Sequence, residues 1–502
     1  MKSWLVMFAL ILPLFCTAQN RGNIWCFGDS AGIDFNNLSN PVPISTGLRT
    51  RGSCASIADT SGNLLFYAND RTNTAGNYTT LVYNINHNVM PNGDSIVGEG
   101  WYNEIVILPM PENDSLYYLF CISTALGPSG LYYSIVNMNA DSGRGDVISK
   151  NNQLVPFAMT DCLNAVKHGN GRDWWIIFRR YDGNNATTNN QFYTYLISPA
   201  GITNFQMQNV GSMHNTGLGQ ISFTKEGNRF CFNSYKGTLE LFDFDRCTGL
   251  INNPQLIFLE NTSGPWPARW SSEFSPNGNY LYVCKNADTT YLIQYDLNSL
   301  NIITSADTIW TTLFPRWSGG KLKTGPDNKI YFSCVYNNAI QFYYPYADTM
   351  YNMYNMNLSV INQPDSLGAA CNFQPYSFYL GGKRTYLGLP NNPNYDMPAI
   401  LGSPCDTLLG ISEIPPTIIN PQLNIFFHPA WETAFINASN LSGNKGTMEI
   451  FDLQGKMVHQ EDIQIVNGYY TRNFNMTGMA DGMYFVNLIS SKQRLSGKLV
   501  KY

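Results

Sequence analysis

Charged side chains are scarce in this chain of 502 residues, and histidine is scarcer still. Asp, Glu, Lys and Arg together make up 13% of the residues, and the net charge is −5. Lys and Arg form no cluster, so a nucleic-acid partner, whose phosphates need neutralising, is not expected. The five histidines do not stand at metal-ligand spacing and no Cys-x-x-Cys occurs, so we expect no metal site and no cofactor. Nucleophile elbows, phosphate loops and metalloprotease helices are also missing, which favours a non-enzyme.

Long apolar runs are confined to the N-terminus. Lys2 precedes an apolar run over residues 4–15, and small residues follow at Cys16 and Ala18. This order predicts a secretory signal peptide over residues 1–18, too short to anchor the chain in a membrane. A lipoprotein modified at Cys16 is the less favoured alternative, because the preceding Phe15 is bulky. We therefore expect export and no transmembrane segment.

Aromatic residues, in contrast, reach 14%, and 42 glycines and 26 prolines supply turns, which favours an all-β fold. A turn followed by an alternating apolar strand recurs at intervals of 50 to 58 residues. Such a period predicts a β-propeller over residues 19–387, with seven blades and six or eight as alternatives. The N-terminal hairpin is expected to pair with residues 371–382 in a composite blade. The last turn residues are Asn63, Ser115, Asp173, Asn228, Asn279 and Lys329.

Beyond the repeats the pattern changes twice. Residues 388–422 contain seven prolines and few periodic apolar positions, which predicts an extended linker. Short strands resume over residues 423–502 and predict a small β-sandwich. Of the cysteines, Cys284 and Cys334 follow equivalent turns and are expected to be buried thiols, whereas Cys371 and Cys405 are the better candidates for a disulfide.

Three short motifs stand in the last 80 residues. The stretch "IFDLQGKMV" begins at Ile450, "MADGMYFVNL" begins at Met479, and the chain closes on "GKLVKY". Together they resemble the C-terminal sorting domain of the type IX secretion system. The family's entry motif is only half preserved, in residues 426–429. The positions that correspond to the family's motifs are Asp452, Gly455, Lys456, Gly482, Tyr484 and Lys498.

This resemblance implies Sec export, passage of the outer membrane by the type IX machinery, and a secreted or cell-surface location. The unit is then removed or exchanged for a lipopolysaccharide anchor. In the body of the chain, stretches such as "NIWCFGDSAGIDFN" and "EFSPNGNYLYV" resemble propeller regions of gliding-associated and surface proteins from bacteria that use type IX secretion. That second resemblance implies no defined activity.

Candidate ligand-binding residues are four tryptophans that precede two repeat turns, accompanied by Arg269 and Arg316. Exposed tryptophans would suit stacking on sugar rings or aromatic groups, and packing between blades is the alternative. His168, and the pair Asp243 and Asp245, are better explained as turn residues than as a base, a calcium site or catalytic acids. The tryptophans are Trp266, Trp270, Trp310 and Trp317.

The sequence thus predicts an exported, non-catalytic surface or secreted protein whose propeller binds a protein or glycan. A secreted propeller hydrolase or lyase acting on polysaccharide is the alternative. A structural role in the cell-surface or gliding machinery is a third possibility. An enzyme should gather carboxylates or a histidine at the mouth of the central channel, and a binding scaffold should not.

Overall fold

The structure is a computed structural model of the full chain. The structure describes residues 20–72, 78–99, 101–123, 129–182, 188–259, 268–336, 345–406, 421–428, 432–439, 441–465, 470–490 and 493–502. The expected signal peptide lies outside these residues. Apart from four short 3-10 turns, the regular structure described is β-strand. The 3-10 turns are Asn20–Gly22, Asp141–Gly143, Ile303–Ser305 and Gly368–Cys371.

The first three sheets are antiparallel and follow one another along the chain. Sheet 1 contains β1 (Ile24–Phe27), β2 (Asp29–Asp34) and β3 (Val42–Arg49). Sheet 2 contains β4 (Cys54–Ala58), β5 (Leu64–Thr72) and β6 (Tyr78–Asn84). Sheet 3 contains β7 (Ile105–Pro109), β8 (Leu116–Ser123), β9 (Gly130–Asn137) and β10 (Asp146–Val155).

The next four sheets have four antiparallel strands each. Sheet 4 contains β11 (Asn164–Lys167), β12 (Trp174–Arg179), β13 (Asn189–Ser198) and β14 (Gly201–His214). Sheet 5 contains β15 (Gly219–Phe223), β16 (Arg229–Ser234), β17 (Leu239–Phe244) and β18 (Ile251–Phe258). Sheet 6 contains β19 (Ala268–Phe274), β20 (Tyr280–Asn286), β21 (Thr290–Asp296) and β22 (Asp307–Thr312). Sheet 7 contains β23 (Gly319–Thr324), β24 (Ile330–Cys334), β25 (Asn357–Ile361) and β26 (Phe373–Tyr379).

The repeated turns stand where the sequence predicts them. Each of the six turn residues immediately precedes the second strand of sheets 2 to 7, from Asn63 before β5 to Lys329 before β24. Glycine in these turns adopts positive φ, as at Gly227 (71°) and Gly278 (71°), a conformation that a tight hairpin turn requires. The predicted propeller-type repeat is confirmed. The blade number of seven stays a prediction. The seven sheets described here would each correspond to one blade.

Apolar clusters join each sheet to the next in the order of the chain. They pack sheets 1 and 2, sheets 2, 3 and 4, sheets 4 and 5, sheets 5 and 6, and sheets 6 and 7. Sheets 7 and 1 meet where the ring of Trp25 lies 5.6 Å from that of Tyr331, edge to face. The seven described sheets therefore form a closed series in which each sheet packs on the next through its faces.

The composite blade predicted from the two ends of the repeat region is wrong. The last strand, β26, pairs with β25 inside sheet 7, whereas β1 pairs with β2 in a sheet of its own. One isolated bridge, between Asp29 and Arg384, links the two ends. Sheets 7 and 1 are therefore joined by side-chain packing between their faces and by one ion pair, and not by strand pairing within a shared sheet.

The predicted C-terminal sandwich is confirmed as two facing sheets. One contains β27 (Gln422–His428), β28 (Thr433–Ser439) and β31 (Tyr470–Asn475). The other contains, in spatial order, β30 (Met457–Gln464), β29 (Lys445–Asp452), β32 (Gly482–Ser490) and β33 (Arg494–Lys501). Their shared core includes Ile436, Met448, Ile450 and Val486, all fully buried.

The sandwich packs on the outer strands of sheets 3 and 4. The ring of Phe435 in β28 stacks on that of Phe205 in β14, with the centroids 5.7 Å apart. Asn473 in β31 donates from Nδ2 to the carbonyl oxygen of Leu154 in β10, at 2.7 Å. Among the described residues, no backbone pairing joins the sandwich to these sheets, so the tail is a separate unit that rests against the propeller.

Candidate functional site

The segment that follows sheet 7 passes between the first strands of the other sheets. Its residues 384–400 are called the axial segment here. Leu387 N donates to the carbonyl oxygen of Arg51, and Asn391 N donates to that of Cys54. Further along, the Tyr395 hydroxyl donates to the carbonyl oxygen of Ile107, at 2.8 Å. The axial segment thus fills the centre of the ring.

Asn391 marks the axis, because its polar atoms reach several sheets at once. Its Nδ2 donates to the carbonyl oxygens of Ile105 in sheet 3, at 3.1 Å, and of Leu163 beside sheet 4, at 2.8 Å. Its Oδ1 accepts a hydrogen bond from Lys321 Nζ in sheet 7, at 3.0 Å. A buried amide with all these partners fixes the segment in place.

The linker predicted over residues 388–422 is therefore wrong for its first part. Residues 388–395 are almost wholly buried inside the ring, and Ile400 N still donates to the carbonyl oxygen of Gly169. Proline and asparagine are typical of linkers, which is why the sequence predicts one here. In this segment, however, proline has no backbone N–H that would need a partner, and asparagine offers side-chain N–H donors. Both properties suit an irregular chain surrounded by the inner edges of the sheets. Residues 407–420 lie outside the described part of the chain.

A disulfide ties the far end of this segment to sheet 5. Cys247, in the turn after β17, is bonded to Cys405, 158 residues later. The predicted partner Cys371 is instead a buried free thiol, as are Cys284 and Cys334, which were predicted to be so. Cys247 was missed because its turn reads as an ordinary surface turn until the axial segment is known to emerge beside it.

A pocket of about 340 Å³, including its opening, lies where the axial segment enters the ring. It is called the mouth pocket. The first strands begin around it, so it gathers residues from sheets 3, 5, 6 and 7. Among the described residues, none of those lining it is Asp, Glu or His. They are Tyr102, Asn103, Leu218, Gly219, Gln220, Tyr235, Trp270, Ser271, Lys321 and Leu387.

Lys321 is the charged residue among these lining residues. Its Nζ donates to Asn103 Oδ1, at 2.7 Å, and to Asn391 Oδ1, at 3.0 Å. Burial, followed by repulsion from Lys323, lowers the pKa of Lys321 to about 7. Sequence reasoning missed this site, because a single lysine in a strand carries no signal until the ring closes around it.

Aromatic rings form one wall of the mouth pocket. The Trp270 ring lies 4.6 Å from that of Tyr102 and 5.6 Å from that of Tyr235, edge to face in both cases. The Arg51 guanidinium lies 5.4 Å from the Tyr102 ring centroid. Burial raises the pKa of Tyr102 to about 12, so its phenol stays neutral. A neutral aromatic wall of this kind suits contact with the apolar face of a ligand ring.

The four predicted tryptophans are not brought together. Trp270 lines the mouth pocket, while Trp310 packs between sheets 6 and 7 against Phe373, with the ring centroids 5.5 Å apart. Trp317 is half-buried in the loop before β23, with φ of 52°. Trp266 lies outside the described residues. Trp310 thus matches the alternative of packing between blades.

The turn interpretation fits the other candidates. His168 Nδ1 accepts from the Asn170 backbone N–H, and its Nε2 lies 3.0 Å from the carbonyl oxygen of Cys247. Asp245 Oδ1 accepts from the N–H groups of Cys247 and Thr248 within a turn. Asp243 accepts from Asn253 Nδ2, at 2.7 Å. These polar atoms serve local structure.

The sorting-motif residues gather at one end of the four-stranded sheet of the sandwich. Asp452 closes the turn between β29 and β30, where its Oδ1 accepts from the N–H groups of Gln454 and Lys456. Gly455 has φ of 79° in this turn, which favours glycine. Asp452 pairs across the sheet with Tyr484. The turn reading of Asp-x-x-Gly and the motif reading therefore apply to the same residues.

The rest of the motif completes this end of the sheet. Tyr484 is buried and donates from its hydroxyl to the carbonyl oxygen of Ala480, at 2.6 Å. Gly482 pairs with Lys501, whose Nζ donates to the carbonyl oxygens of Met476 and Met479. Lys456 and Lys498 are exposed. Two exposed lysines thus stand on a rigid, internally bonded frame. Exposed apolar residues share this sheet and its ends: Leu453, Met457, Val458, Phe485, Val500 and Tyr502.

Comparison with known families assigns the tail. Residues 424–502 match the family model of the secretion system C-terminal sorting domain. No curated protein matches the chain. The tail points to export through type IX secretion, to the cell surface or the external medium. In the described part of the chain, no helix is long and apolar enough to cross a membrane.

Solved structures resemble the ring at low identity. A Bacteroides uniformis protein provisionally assigned as a 6-phosphogluconolactonase is 13% identical, covering 62% of this chain and 89% of its own, with a TM-score of 0.41. The Cps50 (Swd1) β-propeller domain of Myceliophteria thermophila is 10% identical, with coverage of 63% and 94% and a TM-score of 0.34. A quinonprotein alcohol dehydrogenase-like protein from Bacteroides thetaiotaomicron is 9% identical, with coverage of 74% and 76% and a TM-score of 0.34. At these TM-scores the likenesses carry no argument, and the fold rests on the strand pairing described above.

Proposed function

We propose that this chain is an exported, non-catalytic protein whose propeller binds a glycan or protein ligand at the mouth pocket. The observation that carries the proposal is the pairing of an aromatic wall at Trp270 with one buried cation at Lys321. Pockets that bind small ligands combine apolar walls with few, well-placed polar groups, and the mouth pocket has this combination.

The absence of acids from the described pocket lining supports binding rather than hydrolysis. Glycosidases need two carboxyl groups on either side of the scissile bond. The nearby Asp161 does not serve, because its carboxylate accepts the backbone N–H groups of Tyr102, at 2.9 Å, and Asn103, at 2.6 Å. Asp161 thus positions the pocket wall.

A polysaccharide lyase is the alternative that one observation favours. A general base works best when its pKa lies near the working pH, and the pKa of Lys321 is lowered to about 7. A lyase would release an unsaturated sugar whose ultraviolet absorbance grows with time. Turnover abolished by Lys321→Met would favour this alternative over binding alone.

A binding screen tests the proposal directly. The exported form of the chain is applied to a glycan array and to surface extracts, in parallel with Trp270→Ala and with Trp310→Ala. Trp310 packs between two sheets outside the pocket, so its substitution controls for lost stability. Binding that Trp270→Ala removes and Trp310→Ala retains supports the mouth pocket. Equal loss in both variants contradicts it.

For the tail, we propose that the exposed lysines on the motif end of the sandwich are read by the secretion machinery. Lys456 and Lys498 are exposed, whereas Lys501 is buried against Met476 and Met479. Lys456→Ala with Lys498→Ala should reduce export while the sandwich stays folded. Export equal to wild type would overturn this role for the two lysines.

A further inference from the structure

We propose that the mouth pocket takes a carboxylate-bearing sugar unit, with the carboxylate at Lys321 Nζ and the sugar ring against Trp270. This inference rests on the binding function proposed above and names the class of ligand for that same site. It is carried by the hydrogen bonding of Lys321 together with the charge of the groups around it.

The two acceptors of Lys321 are fixed in orientation. Asn103 donates from Nδ2 to the carbonyl oxygen of Gly219, at 3.0 Å, so its Oδ1 must face Lys321. Asn391 donates from Nδ2 to the carbonyl oxygens of Ile105 and Leu163, so its Oδ1 faces Lys321 as well. An ammonium has three N–H donors. Two are used by these amides, and the third remains for a group in the pocket.

The charge of Lys321 has no anion in direct contact. Four titratable groups act on it: Lys323 on its own strand, Cys54 on β4, Glu273 on β19 and Asp161 beside β11. Among the described residues, the hydrogen bonds of Lys321 Nζ go to the two amide oxygens and not to a carboxylate. Asp161 is engaged with backbone amides, and Glu273 accepts from the Thr324 hydroxyl.

A buried cation with no carboxylate in direct contact is unfavourable, and an anion that enters the pocket relieves this cost. A charge-assisted hydrogen bond from ammonium to carboxylate is shorter and stronger than one between neutral groups. The site therefore discriminates by charge at Lys321. A ligand that brings only hydroxyl groups leaves the electrostatic cost in place.

The other side chains that line the pocket indicate which kind of molecule carries the anion. Gln220 bonds through both amide atoms to the backbone of Ser272, and Ser271 donates to the carbonyl oxygen of Gly320. Because these polar atoms already have partners, they are poorly placed to bind several hydroxyl groups of a ligand. Trp270 contributes an apolar ring to the pocket wall, which suits packing against the C–H face of a pyranose ring. One ring face and one anion describe a uronate-like sugar.

A matched pair of disaccharides tests this inference. Binding of cellobiouronic acid and of neutral cellobiose to the exported full chain is measured by tryptophan fluorescence and calorimetry. At about pH 6 the acidic sugar should bind about tenfold more tightly, as a charged hydrogen bond predicts. At about pH 8.5 the ratio should fall, because Lys321, with its pKa near 7, loses its proton.

Two substitutions separate the contributions. Lys321→Met should remove the preference for the acid while weak binding of cellobiose remains. Lys323→Met is the matched control: this lysine is on the same strand and largely buried, but its Nζ donates to the carbonyl oxygen of Asn392. It should keep the preference and extend it to higher pH, because Lys323 repels the charge on Lys321.

Each outcome decides a different claim. Equal binding of both sugars overturns the acidic-sugar inference and leaves the binding function standing. Binding of an acidic peptide but of neither sugar also overturns it, in favour of a protein ligand. No binding of sugar or peptide removes the proposed function itself. If Lys321→Met fails to fold, the pH dependence of the wild-type ratio still decides, since it needs no variant.

Discussion

Removal of one partner from the ion pair between Asp29 and Arg384 should strongly destabilise the ring. Arg384 Nε donates to Asp29 Oδ2, at 2.9 Å, and its Nη2 contacts the same oxygen. The backbone N–H of Asp29 donates to the carbonyl oxygen of Arg384, at 2.8 Å. Both side chains are almost fully buried, at 6% and 4% exposure. This pair joins sheet 1 to the chain that leaves sheet 7.

The expected cost of Asp29→Ala follows from what Arg384 would retain. Its Nη1 donates to the carbonyl oxygens of Ala347, at 2.7 Å, and Met350, at 3.1 Å, but no described carboxylate would replace Asp29. A buried charge stripped of its partner costs about 3–5 kcal/mol. Asp29→Ala combined with Arg384→Met removes the stranded charge, so the double variant should be more stable than Asp29→Ala alone.

Urea unfolding followed by tryptophan fluorescence measures these costs, with the propeller and sandwich transitions fitted separately. Asp94→Ala is the control, because Asp94 pairs with Lys150 at the surface and should cost about 0–1 kcal/mol. A cost for Asp29→Ala no larger than for Asp94→Ala would refute the reasoning. It would mean that packing alone closes the ring.

Three further predictions concern the axial segment and the core. Cys405→Ser should lower stability by about 2–4 kcal/mol, and reduction of the wild type should give the same shift in a urea melt, while reduction of the variant gives none. Gly388→Ala should cost about 3 kcal/mol, because its Cβ would stand 1.8 Å from the Gly52 carbonyl oxygen; Gly22→Ala, with nothing nearer than 3.9 Å, is the control. His214 has its pKa lowered from 6.5 to about 2 by burial and nearby cations, so the unfolded state binds its proton first and stability should fall as pH drops below 6.5. His214→Phe should flatten that part of the pH profile, and an unchanged profile would contradict the assignment.

The repeat was readable from sequence because its signal is local. A hairpin turn needs Gly, Asn or Asp at fixed positions, and the following strand alternates apolar residues, so Asn63 and Asn279 identify their sheets without knowledge of the rest. The sorting tail was readable because each of its motifs is short, as in the turn that Asp452 to Lys456 form. Each repeat turn and each tail motif lies within about ten residues of chain, although the tail motifs are spread over the last 80 residues.

The axial segment and the mouth pocket were not readable, because their contacts are distant in sequence. Lys321 meets Asn103 across 218 residues and Asn391 across 70. Proline and asparagine in residues 388–395 suited two environments, a free linker and a chain whose side chains bond to surrounding strands. Composition does not separate these. The two environments differ in whether Leu389 and Tyr395 are buried, and their burial depends on the closed ring.

The connection to the tail and the proposed binding site are built from the same stretch of chain. Leu387 lines the mouth pocket, and Asn391 orients Lys321, so the pocket is complete only once the axial segment has entered the ring. The disulfide at Cys405 then holds that segment from the far side, ahead of the sorting domain. Loss of the tail after residue 406 would leave every described pocket residue in place. Ligand binding should therefore depend on closure of the ring and survive removal of the unit that directs export.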